Sequence, residues 1–286
     1  TKPNYSICIC NYNMADTLEK SLLSVLNQID SRYEVIFVDD GSNDGSIEVA
    51  RNLAKSYDAL KVYSLTRDPN RKLGQTRNLS FSYARGEWCI FHIDCDDEIG
   101  PYIQEFVDVI QKLDEAIPRD VLFSGQQIHM ARRKFLLEHG PFNNIYRGED
   151  RDLYFRLVRG EEWLVIKHTR FIKRISRSPY LLFKKNLNDN FDQMITDIAE
   201  NGSVKAYLNS IYINRSFISG RMILFRLLCL PIAKRKAGNR PMLIKSGYPS
   251  LEEFLKYRTS HTKTIEDWFL YYNLGTPKNM SNFLTS

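Results

Sequence analysis

Three acidic clusters stand at ordered positions in the chain: Asp39-Asp40 in FVDDGS, Asp94-Cys95-Asp96-Asp97 in FHIDCDDE, and Glu149-Asp150 in YRGEDRDL. The first two each end a run of apolar, β-forming residues, and the third opens a stretch with helical spacing. Carboxylates at the C-terminal ends of parallel strands point into one crevice, where open α/β sheets bind their ligands. Hard divalent cations prefer carboxylate oxygen, and Mg²⁺ is commonly held by one or two carboxylates plus substrate phosphates. Three clusters of this kind suit a site that holds a nucleotide, a divalent metal and a base.

Each cluster alone has a plainer reading. VDDGS could be a strand and turn whose Asp caps the next helix. DCDDE could be a solvated turn. Glu149, Asp150 and Asp152 in a first helical turn favour the macrodipole whatever else they do. Their occurrence together is what points to a site. No phosphate-cradling loop accompanies them, since GxGxxG after the first strand and the Walker pattern are both missing. A nicotinamide dehydrogenase or a P-loop NTPase is therefore disfavoured, and phosphates must be met by a metal or by Lys and Arg.

The elements that would position these acids alternate in type. Strands are expected over Tyr5–Tyr12, Tyr33–Asp40, Leu60–Thr66 and Trp88–Asp94. Helices are expected over Asp16–Ile29, where Leu18, Leu22, Val25, Leu26 and Ile29 recur at helical spacing, and over Ser46–Tyr57, Gln75–Ala84 and Pro101–Leu113. Short links between them imply a mainly parallel sheet covered on both faces, an α/β fold. After Pro118 the pattern changes. A strand is expected over Val121–Met130, a short helix over Arg132–His139, a turn at Gly140-Pro141-Phe142, a helix over Glu149–Val158 and a strand over Trp163–His168. Residues 179–212 read as mostly helical.

With 286 residues, 43% apolar and 26% charged, the chain suits one large domain and an appendage. A mean hydropathy of −0.38 argues against a polytopic membrane protein. The five cysteines, Cys8, Cys10, Cys89, Cys95 and Cys229, have no zinc-like spacing and mostly fall in expected strands. TKPNYSICIC leads straight into a strand-like run, and no signal peptide is expected from it. Together these features lead to the expectation of a cytoplasmic protein.

The net charge of +6 is unevenly spread: residues 201–286 carry 13 Lys and Arg against 4 Asp and Glu, whereas residues 1–200 carry 27 against 30. Within the basic part, Phe217–Ala233 is apolar but broken by Arg221 and Arg226, too short and too charged for a comfortable transmembrane span. Arg215, Ser219 and Arg226 fall on one helical stripe, and Lys234-Arg235-Lys236 follow. A basic amphipathic helix lying on the membrane interface fits, as does a helix packed on the core or on a second subunit of a homo-oligomer. Nucleic acid is disfavoured, because no recognition motif accompanies the charge.

SICICNYN, FVDDGSNDGS, Asn70 with Gly74-Gln75-Thr76-Arg77-Asn78, ARGEWCIFHIDCDDEIGP and GPFNN with GEDRDL occur in order at coherent spacing. Together they resemble the family 2 glycosyltransferases of GT-A fold, over about residues 4–175. The resemblance implies a GT-A, Rossmann-like domain, assigned to 1–205, while the charge and helical pattern set off 206–286 as a helical, basic region for which a membrane surface is one expected partner. It implies a metal-dependent, inverting transfer from a UDP- or GDP-type nucleotide sugar to a hydroxyl of a glycan or lipid-linked acceptor. By motif position, Tyr12 would pack on the base, Asp40 would bond the base or ribose, and Asn70 and Arg77 would line the nucleotide pocket. Asp94 would hold the ribose or donor sugar and stand beside the metal. Asp96 would ligate the Mn²⁺ or Mg²⁺, Asp150 would be the general base, and Glu149 would position the acceptor. Cys10 and Lys72 depart from the family pattern on the nucleotide side.

Transfer to a polyprenyl phosphate, and a non-catalytic membrane scaffold, are the alternatives. His92, His168 and Trp163 read as structural residues. Arg170, Lys173, Arg174 and Arg177, in an acid-free stretch, either clamp an anion or are solvated.

Overall fold

The computed structural model describes the chain except residues 1, 139–141, 146, 202–203, 214–218, 239–250 and 276–286. The expected turn at Gly140-Pro141, and Arg215 and Phe217 of the basic stretch, lie outside the described residues.

The first half alternates as the sequence implies: β1 (Tyr5–Asn11), α1 (Ala15–Leu26), β2 (Tyr33–Asp39), α2 (Ser46–Ala54), β3 (Leu60–Ser64), α3 (Leu73–Tyr83), β4 (Trp88–Ile93), β5 (Asp97–Ile99) and α4 (Ile103–Asp114). The second half runs β6 (Leu122–Ser124), β7 (His129–Arg132), α5 (Arg133–Glu138), α6 (Glu149–Val158), β8 (Trp163–Lys167), β9 (Ile172–Arg174), α7 (Pro179–Asn201), α8 (Val204–Ile213), α9 (Gly220–Ala237), α10 (Leu251–Ser260), β10 (Thr262–Thr264) and α11 (Ile265–Tyr271).

Eight strands form one sheet in the order β10-β8-β6-β7-β4-β1-β2-β3. All neighbours are parallel except β7, which runs antiparallel to both β4 and β6. β1 and β2 are apolar almost throughout because both faces are covered. Ile7, Ile9, Val35 and Phe37 enter a core shared with α1 and α4, whereas Cys8, Ile36 and Val38 enter another with α3, α5 and α6. The alternation of strand side chains thus feeds two hydrophobic layers, the three-layer arrangement expected of an α/β fold.

The structure departs from expectation in three places. The single strand expected over Val121–Met130 is a hairpin, β6 and β7, turned at Gly125 to Ile128 with Gln127 at φ 61°. The reversal falls on Ser124-Gly125-Gln126-Gln127, polar residues around a glycine of the kind that marks a turn, between two apolar runs too short to stand out as separate strands. A second sheet pairs β5 with β9, two three-residue strands too short to signal themselves. Beyond residue 206 the chain is not wholly helical: β10 pairs with β8 at the sheet edge, and Trp268 and Phe269 join the first core. A third, smaller core lies between α7, α8 and α9, built from Met194, Ile195, Tyr207, Ile211 and Ala233.

Candidate functional site

β1, β2 and β4 lie side by side and parallel, so their C-terminal ends open on one edge of the sheet. After β2, Asp39 and Asp40 divide their work. Asp39 is buried and accepts from Asn11 Nδ2 at 2.8 Å, Ser42 N at 2.9 Å and Ser42 Oγ at 2.5 Å, tying β2 to β1 and closing the turn. Asp40 faces the crevice, where Arg67 Nη1 donates to it at 2.7 Å and Arg71 forms a second ion pair. Burial pushes the Asp40 carboxyl above its ordinary value, although Arg71 and Arg67 pull the other way. Gly41 follows at φ +73°, and a Cβ there would stand 2.6 Å from Arg67 N, so only glycine fits. Tyr12, at the end of β1, is 46% exposed, with the Arg67 guanidinium 4.4 Å from its ring centroid. Tyr12, Arg67 and Asp40 make a flat, charged-edged platform of the kind an aromatic base stacks upon. On β1, burial lifts the Cys10 thiol to about 12, which keeps it protonated at neutral pH.

The turn after β4 gathers the second cluster. Thr17 Oγ1 on α1 donates to Cys95 O at 2.8 Å, and Asp94 N donates to Asp97 Oδ2 at 2.9 Å, which fixes the turn. Arg174 Nη1 meets three carboxylates at once: Asp94 Oδ2 at 3.1 Å, Asp97 Oδ1 at 3.3 Å, and Asp96. Lys185 Nζ reaches the other oxygen of Asp96 at 2.8 Å. Partial burial opposes ionisation of Asp94, but Arg77, Arg174 and His92 outweigh it and hold this carboxyl below its ordinary value. Burial lifts Asp97 to about 6. Asp97 Oδ1 is buried without a hydrogen-bond partner. The donors are hard carboxylate oxygens turned towards one positive centre, a chemistry that suits Mg²⁺ or Mn²⁺. Among the described residues no group of three or more His, Cys, Asp or Glu side chains forms a closed metal cage. A divalent cation here would bind weakly on the carboxylates alone and complete its coordination with ligands from the substrate, as Mg²⁺ usually does.

Gly148, at φ +86°, starts α6, and Glu149 and Asp150 occupy its first turn. Arg77 on α3, buried, donates from Nη1 to Glu149 Oε1 at 2.8 Å and to Asp150 Oδ1 at 2.5 Å. His92 Nε2 lies 2.9 Å from Asp150 Oδ2. Burial raises both acids, yet the Arg77 and His92 contacts dominate at Asp150 and hold it well below the usual carboxylate range, while Glu149 stays above its own ordinary value. Asp150 is thus ionised at neutral pH. Two of its roughly four lone-pair sites are taken, and the side chain is 24% exposed.

Tyr12, Asp40, Asp94 and Asp96 gather at strand ends as the sequence implies, with Glu149 and Asp150 on α6. The Arg77 guanidinium is drawn to the acid pair, and its charge also reaches Asp94 and Cys10. Asn70 is exposed and contributes its backbone, donating from N to Asp68 Oδ1 and accepting from Asn144. His168 is structural: Nε2 accepts from Gln126 N at 2.8 Å and Nδ1 donates to Thr169 O, so neither nitrogen is left for a metal. Trp163 is core, stacked on Tyr154 at 4.5 Å. Of the four cations in the acid-free stretch only Arg174 meets the acids; Arg177 is spent on Asp16 and Arg170 on Ile172 O and Gln127. Sequence reading missed Arg67, Arg71 and Lys185. Lys185 had a signal, because residues 163–188 contain no acid at all. His92 is not simply core. It sits at φ 71°, a conformation that costs a non-glycine residue roughly 1–3 kcal/mol.

A sequence model described as "Glycosyl transferase family 2" matches residues 6–175. The chain is 33% identical over 147 residues to a cholesterol galactosyltransferase of Borreliella burgdorferi, covering 50% of this chain and 38% of that protein. It is 28% identical over 207 residues to a GalNAc(5)-diNAcBac-PP-undecaprenol beta-1,3-glucosyltransferase of Campylobacter jejuni, covering 61% and 66%. The chain therefore spans less than two thirds of the length of either relative. Among solved structures, a mannosyltransferase from Pyrobaculum calidifontis in complex with GDP-Man and Mn²⁺ superposes with a TM-score of 0.52 at 13% identity, covering 91% of this chain and 87% of that one. That likeness is one of fold.

Proposed function

The chain belongs to glycosyl transferase family 2, and on that footing we propose that it moves a sugar from a nucleoside-diphosphate sugar to a hydroxyl of a glycan or lipid-linked acceptor, with inversion. The acceptor oxygen attacks the anomeric carbon, the bond from that carbon to the diphosphate breaks, and the nucleoside diphosphate leaves. The hydroxyl proton passes to Asp150. Positioned base catalysis of this kind typically contributes ~10²–10⁴-fold.

Tyr12 offers its ring to the base, and Asp40, steadied by Arg67 and Arg71, reads its edge or the ribose. Asp94 holds the ribose or donor sugar. Arg174 and Lys185 supply positive charge beside the leaving diphosphate. Glu149, fixed by Arg77, borders the acceptor side. Asp96, with Asp94, would hold Mn²⁺ or Mg²⁺, which would neutralise the diphosphate as a Lewis acid.

One observation carries this reading. Arg77 donates to Asp150 Oδ1 at 2.5 Å, and its charge also lowers Asp94, so a donor-side acid and an ionised base lie within one electrostatic neighbourhood. Calorimetric titration of UDP, GDP, CDP and TDP, with and without Mn²⁺, on wild type and Asp96→Ala tests it. Binding of one nucleotide that depends on Mn²⁺ and is lost in the variant is expected. Failure of all four to bind would overturn the enzyme reading in favour of a scaffold.

The same proposal includes a peripheral membrane contact through α9. Leu224, Leu227, Leu228 and Ile232 are 48–71% exposed on its outer face, followed by exposed Lys234 and Arg235. Contrary to the expected polar stripe, Arg226 turns inward and donates to Asn190 on α7 at 3.1 Å. Among the described residues no helix is long and apolar enough to cross a membrane. Apolar side chains beside basic ones, with no acid over residues 201–251, suit an anionic lipid surface.

A further inference from the structure

β4 carries an extra residue against β1. Ile7 pairs with Ile90 and Ile9 with Ile93, so Cys8 alone faces the two residues Phe91 and His92. This is a β-bulge, a device that re-aims a side chain and is frequent beside active sites. His92 takes the left-handed backbone that the bulge demands, φ 71°. Without the extra residue, the side chain in this place would follow the strand's alternation into one of the two cores.

The ring is instead held over the acid pair. Nε2 lies 2.9 Å from Asp150 Oδ2. An ionised carboxylate only accepts, so the proton belongs on Nε2. Nδ1 is buried and has no partner, which agrees with a bare lone pair there. On its other side the His92 ring stacks on His129 at 4.5 Å. His129 is itself immobilised, with Nδ1 donating to Ile128 O at 2.9 Å and Nε2 accepting from Tyr154 Oη at 2.6 Å. Tyr154 in turn lies flat on Trp163, 4.5 Å away and 2° from parallel. A rigid run of rings thus reaches from the core to the carboxylate.

We propose that His92 is a positioning residue for the transfer: its Nε2–H pins Asp150 Oδ2 while Arg77 pins Oδ1, leaving the carboxylate's outward lone pairs in one fixed direction. The inference rests on Asp150 being the base of the reaction proposed above. His92 acts through Asp150 and touches neither sugar nor nucleotide.

The test uses His92→Phe, which keeps a ring but has no donor, and His92→Gln, whose amide restores an N–H. Hydrolysis of UDP-galactose, UDP-glucose and GDP-mannose, with water as the acceptor and Mn²⁺ present, is followed by nucleoside diphosphate release. A misplacement of the base by about 1 Å costs on the order of 10²-fold, so His92→Phe is expected to lower kcat by that order with donor KM unchanged. His92→Gln should recover much of the loss. In an Asp150→Asn background His92→Phe should have no further effect. Wild-type kcat in His92→Phe, or an equal loss in both backgrounds, would overturn the inference while leaving the glycosyl-transfer reading standing. Release by no variant and not by wild type would overturn that reading, and this inference with it.

Discussion

Lys185 on α7 and Asp96 in the turn after β4, 89 residues apart in sequence, are joined by a 2.8 Å hydrogen bond from the ammonium to Asp96 Oδ2. The carboxylate is almost wholly buried, and Arg174 takes its other oxygen. A side-chain cation therefore already competes for the oxygens that a divalent ion would use. Lys185→Met should strengthen binding of Mn²⁺ alone, by about tenfold if the ammonium's hold on Oδ2 is worth ~1.4 kcal/mol. Titration calorimetry with Mn²⁺ in the absence of nucleotide reads this directly, and unchanged affinity would show that Lys185 does not contest the site.

Asp150→Asn removes the base while keeping its shape and its acceptor oxygen. Transfer to a hydroxyl should fall by roughly 10²–10⁴-fold. A phosphate acceptor is already ionised and needs no base, so transfer to a polyprenyl phosphate would survive the substitution. Comparing the two acceptor classes on this one variant separates the two chemistries.

Burial holds His129 well below 6.5 and His168 below it too. A histidine whose folded pKa lies under its unfolded value adds stability that is complete above the unfolded pKa. That stability is lost as pH falls, because only the unfolded chain takes up the proton. Thermal midpoints should therefore drop between pH 7 and pH 5, with a slope approaching about 1.4 kcal/mol per pH unit for each histidine. His129→Gln should flatten that slope, as followed by circular dichroism across the same range.

The outer face of α9 predicts selective binding to acidic vesicles. Flotation with phosphatidylglycerol vesicles should carry the protein, and pure phosphatidylcholine should carry it far less. Replacing Lys234 and Arg235 by Gln should remove about 1 kcal/mol for each charge. The pair Leu224→Ser and Leu228→Ser should weaken binding to both lipids. Equal flotation of wild type and the serine variant would rule the aliphatic stripe out of the contact.

What the sequence discloses here is whatever is settled locally. β1, β2 and β4 announce themselves by apolar runs, and Asp40 and Asp94 sit where those runs stop, so strand end and site residue are read together. Asp150 is legible because its Gly-Glu-Asp opens a helix. Partners are another matter. Arg77 lies 73 residues from Asp150, and only the packing of α3 against the sheet brings its guanidinium to the acids. His92 looks like one more strand residue, since a bulge is a mismatch between two strands and neither strand records it alone. The β6–β7 hairpin is a different case: Ser124-Gly125-Gln126-Gln127 carry a local turn signal, but strands of three and four residues on either side read as one.

The return of the chain to the sheet at β10 bears on how this protein can be cut. Thr262–Thr264 cover Val165–Lys167 of β8, and Trp268 Nε1 donates to Val165 O at 3.0 Å. Ending the polypeptide after residue 205 would strip this cover and leave β8 with unpaired amides and carbonyls along the edge of a sheet reduced from eight strands to seven. Such an edge is a template for aggregation. Shortened versions meant to isolate the glycosyltransferase half would precipitate or pair edge to edge, whereas excising the helical excursion of α8 and α9 and rejoining the ends would keep the border strand in place.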